Sequence, residues 1–280
     1  MNSNKAEKEN INRIKLASVC IAIVMCLCII GYVVSTIIAK QSFSAEKPVA
    51  TITVEGYGTI KLELYPEYAP NTVTNFIKLA NNGFYNGKTF HRTDPSFMIQ
   101  GGDPNGDGSG NAKLKDLDSS KEDEDYCIKG EFVLNGYVKN NLKITEGVIA
   151  MARGDYSSMG TQSLTKKGYN SGSCQFFIMT SDEHTSSVDG AYAAFGKVIE
   201  GMDVVKAISN VEVETRGQTE TDENGKAIKT QNRPVTPPVI SEIKVDTKGV
   251  DYGMPETMEP FDYYSYMMQQ YYGSSAGGMY

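Results

Sequence analysis

Histidine is nearly absent: His91 and His184 are the only two in 280 residues, so a His-rich metal cluster has no ligands to draw on. Cysteine is scarce and unevenly placed. Cys20, Cys26 and Cys28 share one apolar run, which leaves only Cys127 and Cys174 for the rest of the chain. That distribution excludes a zinc ribbon and a disulfide-dense secreted scaffold; the last two cysteines read equally as a disulfide or as two buried thiols. Positive charge is in deficit too, with 27 Lys and Arg against 34 Asp and Glu. A protein that tracks phosphates needs a basic face, so no nucleic-acid partner is expected. No repeat of about 20–50 residues is visible, which excludes a solenoid.

What the chain does have is apolar substance, 40% of its residues, enough for one full core with appendages. From Leu16 to Ala39 there are 24 consecutive uncharged residues between Lys15 and Lys40. About 20 apolar residues span a bilayer as a helix, whereas a cleavable signal has an apolar stretch of about 7–15. Lys5, Lys8, Arg13 and Lys15 precede the run, so residues 1–15 are expected in the cytoplasm and the rest outside the cell membrane. Cleavage near Ser42–Ala45 is the competing reading; a retained signal anchor over 16–39 with a linker over 40–47 is preferred. At the far end, residues 250–280 hold seven Tyr and five Met without helical or strand period, and 248–280 read as a mobile, disordered tail.

Between these lies a domain expected over 48–247. Val49–Glu55 and Thr59–Tyr65 alternate about Gly56-Tyr57-Gly58, a hairpin signature. Pro70 then opens a helical pattern through Val73, Phe76, Ile77 and Ala80 that Gly83 ends. Short strands are expected at Phe97–Gln100, Gly147–Arg153, Gln175–Thr180, Ala193–Val198 and Val239–Val245, with a second helix at Met202–Ser209. Many short strands with two helices point to a mainly β protein, a closed antiparallel barrel with helical plugs.

The chemistry concentrates in three segments. Phe90-His91-Arg92-Thr93-Asp94-Pro95-Ser96-Phe97-Met98-Ile99-Gln100-Gly101-Gly102-Asp103 offers a fixed cation, an amide and two large apolar side chains. Gly172 to Ile178 adds Gln175, Phe176 and Phe177, and Val188 to Val198 adds a turn and apolar surface. The stretch Asp103 to Ser109 imitates the start of a calcium loop, but position 12 is Leu114 where a bidentate Glu is needed, so no metal is expected. Its glycines are not followed by Lys-Ser/Thr on a helix, which excludes a phosphate loop, and no cofactor is implied.

In this order, and with Gly147-Val148-Ile149-Ala150-Met151-Ala152-Arg153 between them, these segments resemble the cyclophilin family of peptidyl-prolyl isomerases over roughly residues 50–247. The resemblance implies an eight-stranded antiparallel barrel closed by two helices. It also implies Arg92 as catalytic arginine and Gln100 as its hydrogen-bonding neighbour. Phe97, Met98 and Phe177 would line a prolyl pocket completed by Val188 and Tyr192. Gln175 and the backbone of Ala152 and Arg153 would hold the substrate's extended chain. This sequence departs from many members in having Tyr192 in place of His and Ser187 in place of Trp. Gly154–Ser171 and Val211–Pro238 are longer than in compact members, and the second is expected at the surface. His91 reads as a packed or hydrogen-bonded structural residue, and His184 as a solvated one.

The expected activity is therefore proline isomerisation in unfolded or exported polypeptides by a membrane-tethered extracytoplasmic domain. A tethered peptide-binding or chaperone module with weak turnover is the alternative. A hydrolase is disfavoured because neither His lies in a Ser or Cys constellation.

Overall fold

Alternating apolar residues need a second layer to hide their inner face, and in the computed structural model the chain meets that need by curling one sheet around a core. The structure describes residues 46–156, 162–214 and 232–262, together with 25, 26, 28, 29, 265, 266 and 268. The chain divides into Met1–Glu46 and Lys47–Tyr280. In the first unit Met25, Cys26, Cys28 and Ile29 are helical and exposed. The remainder of the expected 16–39 span lies outside the described residues, as do residues 1–15, the linker up to residue 45, and 215–231 of the long excursion. Among the described residues no helix is long and apolar enough to cross a membrane.

In the second unit, β1 (Val49–Val54) and β2 (Gly58–Leu64) form the expected hairpin, with Ile52 opposite Ile60 and Val54 opposite Gly58. The sheet continues with β3 (Thr89–Thr93), β4 (Met98–Asp103), β5 (Val148–Met151), β6 (Phe176–Met179), β7 (Ala193–Glu200) and β8 (Ile240–Asp246). All pairings are antiparallel, in the order β3-β4-β6-β5-β7-β2-β1-β8. The two edges meet over a short stretch only: Gly87 N–H donates to Ile240, Ile240 N–H to Lys88, and Phe90 N–H to Pro238, at 2.8, 2.7 and 2.9 Å. The expected closed barrel is thus a curled eight-stranded sheet whose rims touch at one end.

Seven of these strands fall where short apolar or alternating segments were expected; β3 does not. Its register shifts twice against β4, between Thr89 and Phe90 and between Phe90 and Arg92, so Phe90 and His91 are both buried and the period of two is broken. The next strand ends in a tight approach. Gly102 has φ +86°, and a Cβ there would sit 2.9 Å from the Tyr85 ring and 3.0 Å from the Cys174 carbonyl, so only glycine fits.

Helix α1 (Pro70–Asn81) buries Val73, Phe76, Ile77 and Ala80, and α5 (Met202–Ser209) buries Val205 and Ile208, both as the 3–4 spacing predicts. Three further helices fall in segments that read as loops: α2 (Leu114–Leu117), α3 (Gln162–Tyr169) and α4 (Thr185–Val188). The main core joins Phe76, Tyr85, Phe90, Phe176 and Phe195 to the inward residues of the sheet.

The tail reading needs correction over residues 251–262. Met258 pairs with Cys127 in an antiparallel bridge, with N–H to O distances of 2.9 and 3.0 Å. Asn71 exchanges two bonds with the Glu256 backbone, at 2.7 and 2.9 Å, and Pro255 is buried. These residues form a strap along the domain; their pairing partners are remote in sequence, so no local period announces them.

Candidate active site

β4, β6 and β5 are buried on both faces, and the second face builds the site. Ile99, Phe176, Ile178, Ile149 and Met151 point into the main core, while Met98, Phe177, Met179, Val148 and Ala150 form a separate apolar cluster with Phe97, Val188 and Tyr192. Register then aligns a row across the strands: Arg92 opposite Gln100, Gln100 opposite Phe177, Phe177 opposite Ala150. Neighbouring strands lie about 4.8 Å apart, so Arg92 and Phe177 are separated by about 10 Å, the width of a small ring and its peptide link.

Above this row opens a cavity of about 420 Å³. Arg92, Phe97, Met98 and Gln100 line one side; Phe177, Val188, Tyr192, Ala152 and Arg153 line the other. The tenth expected residue, Gln175, lines an adjoining cavity of about 300 Å³ that shares Gln100, Ala152 and Arg153 with the first.

Arg92 is held under unusual conditions for a cation. Its Nε is buried and has no hydrogen-bond partner among the described residues, while its guanidinium lies 5.7 Å from the centre of the Phe97 ring. Burial pulls its pKa below the ordinary arginine value, opposed by Asp94 and Tyr192. Asp94 is nevertheless occupied elsewhere. It accepts from Ser96 N–H and O–H at 2.9 and 2.7 Å and from Asn232 Nδ2 at 2.7 Å.

The amides form a relay. Gln100 Nε2 donates to Gln175 Oε1 at 3.0 Å, and Gln175 Nε2 donates to the Gly108 and Gly110 carbonyls at 3.0 and 2.9 Å. The glycine turn that supplies those carbonyls is wound around the buried Asp103, whose carboxylate accepts from the backbone of Asn105, Asp107, Gly108 and Gly110. The residues of the calcium-loop imitation thus serve as backbone scaffolding, and among the described residues no group of His, Cys, Asp and Glu could hold a metal ion.

Ala152 N–H donates to the Gln175 carbonyl at 2.9 Å, so the backbone group it can offer a ligand is its C=O. Arg153 differs from the expectation of a backbone role alone. Its Nε donates to Ala191 O at 3.0 Å and its Nη1 to Gly154 O at 2.9 Å, with the rings of Tyr192, Tyr169 and Phe132 at 4.5, 4.9 and 5.5 Å. This clamp holds Tyr192, which meets Phe177 edge-on at 5.3 Å.

Both histidines sit as expected, His91 packed and His184 exposed, yet both also border the site. His91 is 4% exposed and lines the cavity, and neither ring nitrogen has a hydrogen-bond partner among the described residues. His184 is exposed but lies 4.9 Å from the Phe97 ring, so it borders the site. Sequence reasoning also missed Asn232, which returns from the long excursion to hold Asp94, and Asp107, Asp155, Tyr156 and Phe261 on the cavity walls. None of these carries a motif signal; only the fold makes them neighbours. Cys127 and Cys174 are separate, buried thiols, and burial pushes them up to about 11 and about 12.

Comparison with known proteins agrees with this geometry. Residues 49–245 match the family described as cyclophilin type peptidyl-prolyl cis-trans isomerase/CLD. Peptidyl-prolyl cis-trans isomerase B of Bacillus subtilis is 38% identical over 160 residues, covering 57% of this chain and 90% of the relative. Peptidyl-prolyl cis-trans isomerase-like 2 of Gibberella zeae is 36% identical over 154 residues, 55% of this chain but only 22% of the longer fungal protein. Among solved structures, a Cryptosporidium parvum cyclophilin type isomerase crystallised in the presence of the dipeptide Ala-Pro superposes with TM-score 0.52 at 24% identity. The superposition covers 71% of this chain and 98% of that one.

Proposed function

This chain belongs to the cyclophilin-type peptidyl-prolyl cis-trans isomerase family, and we propose that Arg92 is the group that drives X–Pro bond rotation in the cavity it lines. Turning the bond breaks amide resonance, with a barrier of about 18–20 kcal/mol. In the twisted state the prolyl nitrogen becomes pyramidal and regains a lone pair. A guanidinium N–H aimed there binds that state better than the planar one, so the barrier falls without any covalent step. The observation that carries this assignment is the Arg92 guanidinium on the wall of the apolar cavity, 5.7 Å from the centre of the Phe97 ring. Partial burial strips that cation of part of its water, which strengthens any hydrogen bond it makes when the lone pair forms.

A hydrogen bond to a charged group nets about 1.5–3 kcal/mol, and about 1.4 kcal/mol is tenfold in rate. Arg92 therefore supplies one to two decades. The rest comes from a water-poor hollow of Phe97, Met98, Phe177, Val188 and Tyr192 and from fixing the flanking chain on Gln100, Gln175, Ala152 and Arg153. The test is Arg92→Ala in a proline-isomerisation assay. kcat/KM should fall at least tenfold while peptide affinity changes little; unaltered turnover would refute the role assigned to Arg92.

The reading extends to the cell. Residues 16–39 are a signal anchor, residues 1–15 are cytoplasmic, and the isomerase domain stands outside the cell membrane, working on exported or unfolded polypeptides. Its support is the uncharged run of 24 residues and its basic upstream flank, together with the exposed helical Met25 and Ile29.

A further inference from the structure

We propose that the strap over 251–262 is a working wall of the substrate groove, in which Phe261 selects polypeptides carrying an aromatic side chain close to the isomerised proline. The inference rests on the placement of the prolyl ring in the Arg92 cavity and adds to it a specificity determinant. The cavity of about 300 Å³ next to that site shares Gln100, Gly108, Ala152 and Arg153 with it, so the two are one continuous groove. Pro260 and Phe261 form part of the second cavity's wall. They lie beyond residues 49–245, the part that matches the family.

The strap is built to stay. Met258 is paired to Cys127 by two backbone bonds, and the Asn71 side-chain amide makes two more to the Glu256 backbone, donating to its carbonyl and accepting from its N–H. The next residues, Pro260 and Phe261, follow those anchors onto the cavity wall. Phe261 sits 6.2 Å from the Tyr156 ring, and the Lys167 ammonium lies 5.3 Å from its ring centre. Amides line the cavity too, from Gln175 and Asn111. An aromatic wall with amides beside it suits a flat ring with a polar edge better than it suits an aliphatic or charged group. A peptide whose proline occupies the first cavity extends one flank of its chain into the second.

The test uses the full chain and peptides identical around one X–Pro bond, with Tyr or Ala scanned over the two positions on either side of it. The unaltered protein should prefer Tyr at one of those positions by about fivefold in kcat/KM, the size expected of one aromatic contact. Phe261→Ala should erase that preference, so that the Tyr and Ala peptides turn over with the same kcat/KM, and Phe261→Tyr should restore it. The labelling rate of the Cys127 thiol, mapped by mass spectrometry, reports whether the strap is still docked. Loss of the preference supports the inference whether the strap stays or leaves. Preference surviving in Phe261→Ala overturns it, as does a deletion of 251–280 that raises turnover of every peptide equally, the mark of a shield. If the unaltered chain fails to turn over any peptide, the Arg92 assignment falls and this inference with it.

Discussion

Arg92 and His91 are adjacent in sequence and line the same cavity, the first half-buried and the second buried, yet loss of water has opposite chemical consequences for them. Arginine keeps its charge at any working pH, so losing water sharpens it as a donor. Histidine responds by giving up the proton: burial pulls the His91 imidazole below its ordinary 6.5, with Arg92 adding to the effect and Asp103 and Asp107 opposing it. The unfolded chain then takes up a proton near pH 6.5 that the folded one resists. Stability from this group is fully present above that pH and is lost as pH falls through the lower folded value. Urea titrations at a series of pH values should show this acid limb, about 1.4 kcal/mol for each unit of displacement. His91→Leu should flatten it, and an unchanged limb would assign it to other groups.

At the scale of elements, α1 depends on a residue from another part of the chain. Ala69 provides no side-chain cap. Instead the buried Glu131 accepts from Asn71 N–H at 3.1 Å and from Thr72 N–H and O–H, both at 2.8 Å. Burial raises its pKa despite these three bonds, because a carboxylate shielded from water is costly even at a helix N-terminus. Glu131→Ala leaves three donors unpaired and should lower stability by about 3 kcal/mol in denaturant unfolding. Glu131→Gln, which keeps an acceptor, should cost clearly less. Such caps show where sequence reading stops. Pro70 and the 3–4 spacing reveal α1, but a partner 60 residues away from Asn71 leaves no local trace. The same holds for β3, whose bulges hide its period, and for the strap, whose Met258 meets Cys127 across 131 residues.

For the whole molecule, the division into Met1–Glu46 and Lys47–Tyr280 places the proposed anchor and the isomerase domain in different units. The full chain should sediment with membranes, resist salt and alkaline carbonate, and be released by detergent. Deleting residues 1–39 should leave a soluble enzyme of undiminished kcat/KM; an enzyme that is soluble in full length would remove the anchor. Composition and short-range pattern by themselves pointed to a mainly β domain with two amphipathic helices, because alternation and helical spacing are written within a few residues. The ten expected site residues, Arg92 among them, came from the order of whole segments and the family they resemble, not from local pattern. Tertiary structure decided the rest. The register that aligns Arg92, Gln100 and Phe177 depends on which strands become neighbours. So does the second apolar face beneath the cavity, and so do the positions of Asn232, Glu131 and Phe261. Burial and unpaired donors exist only once distant segments have excluded water from one another, and no stretch of the chain read by itself contains that information.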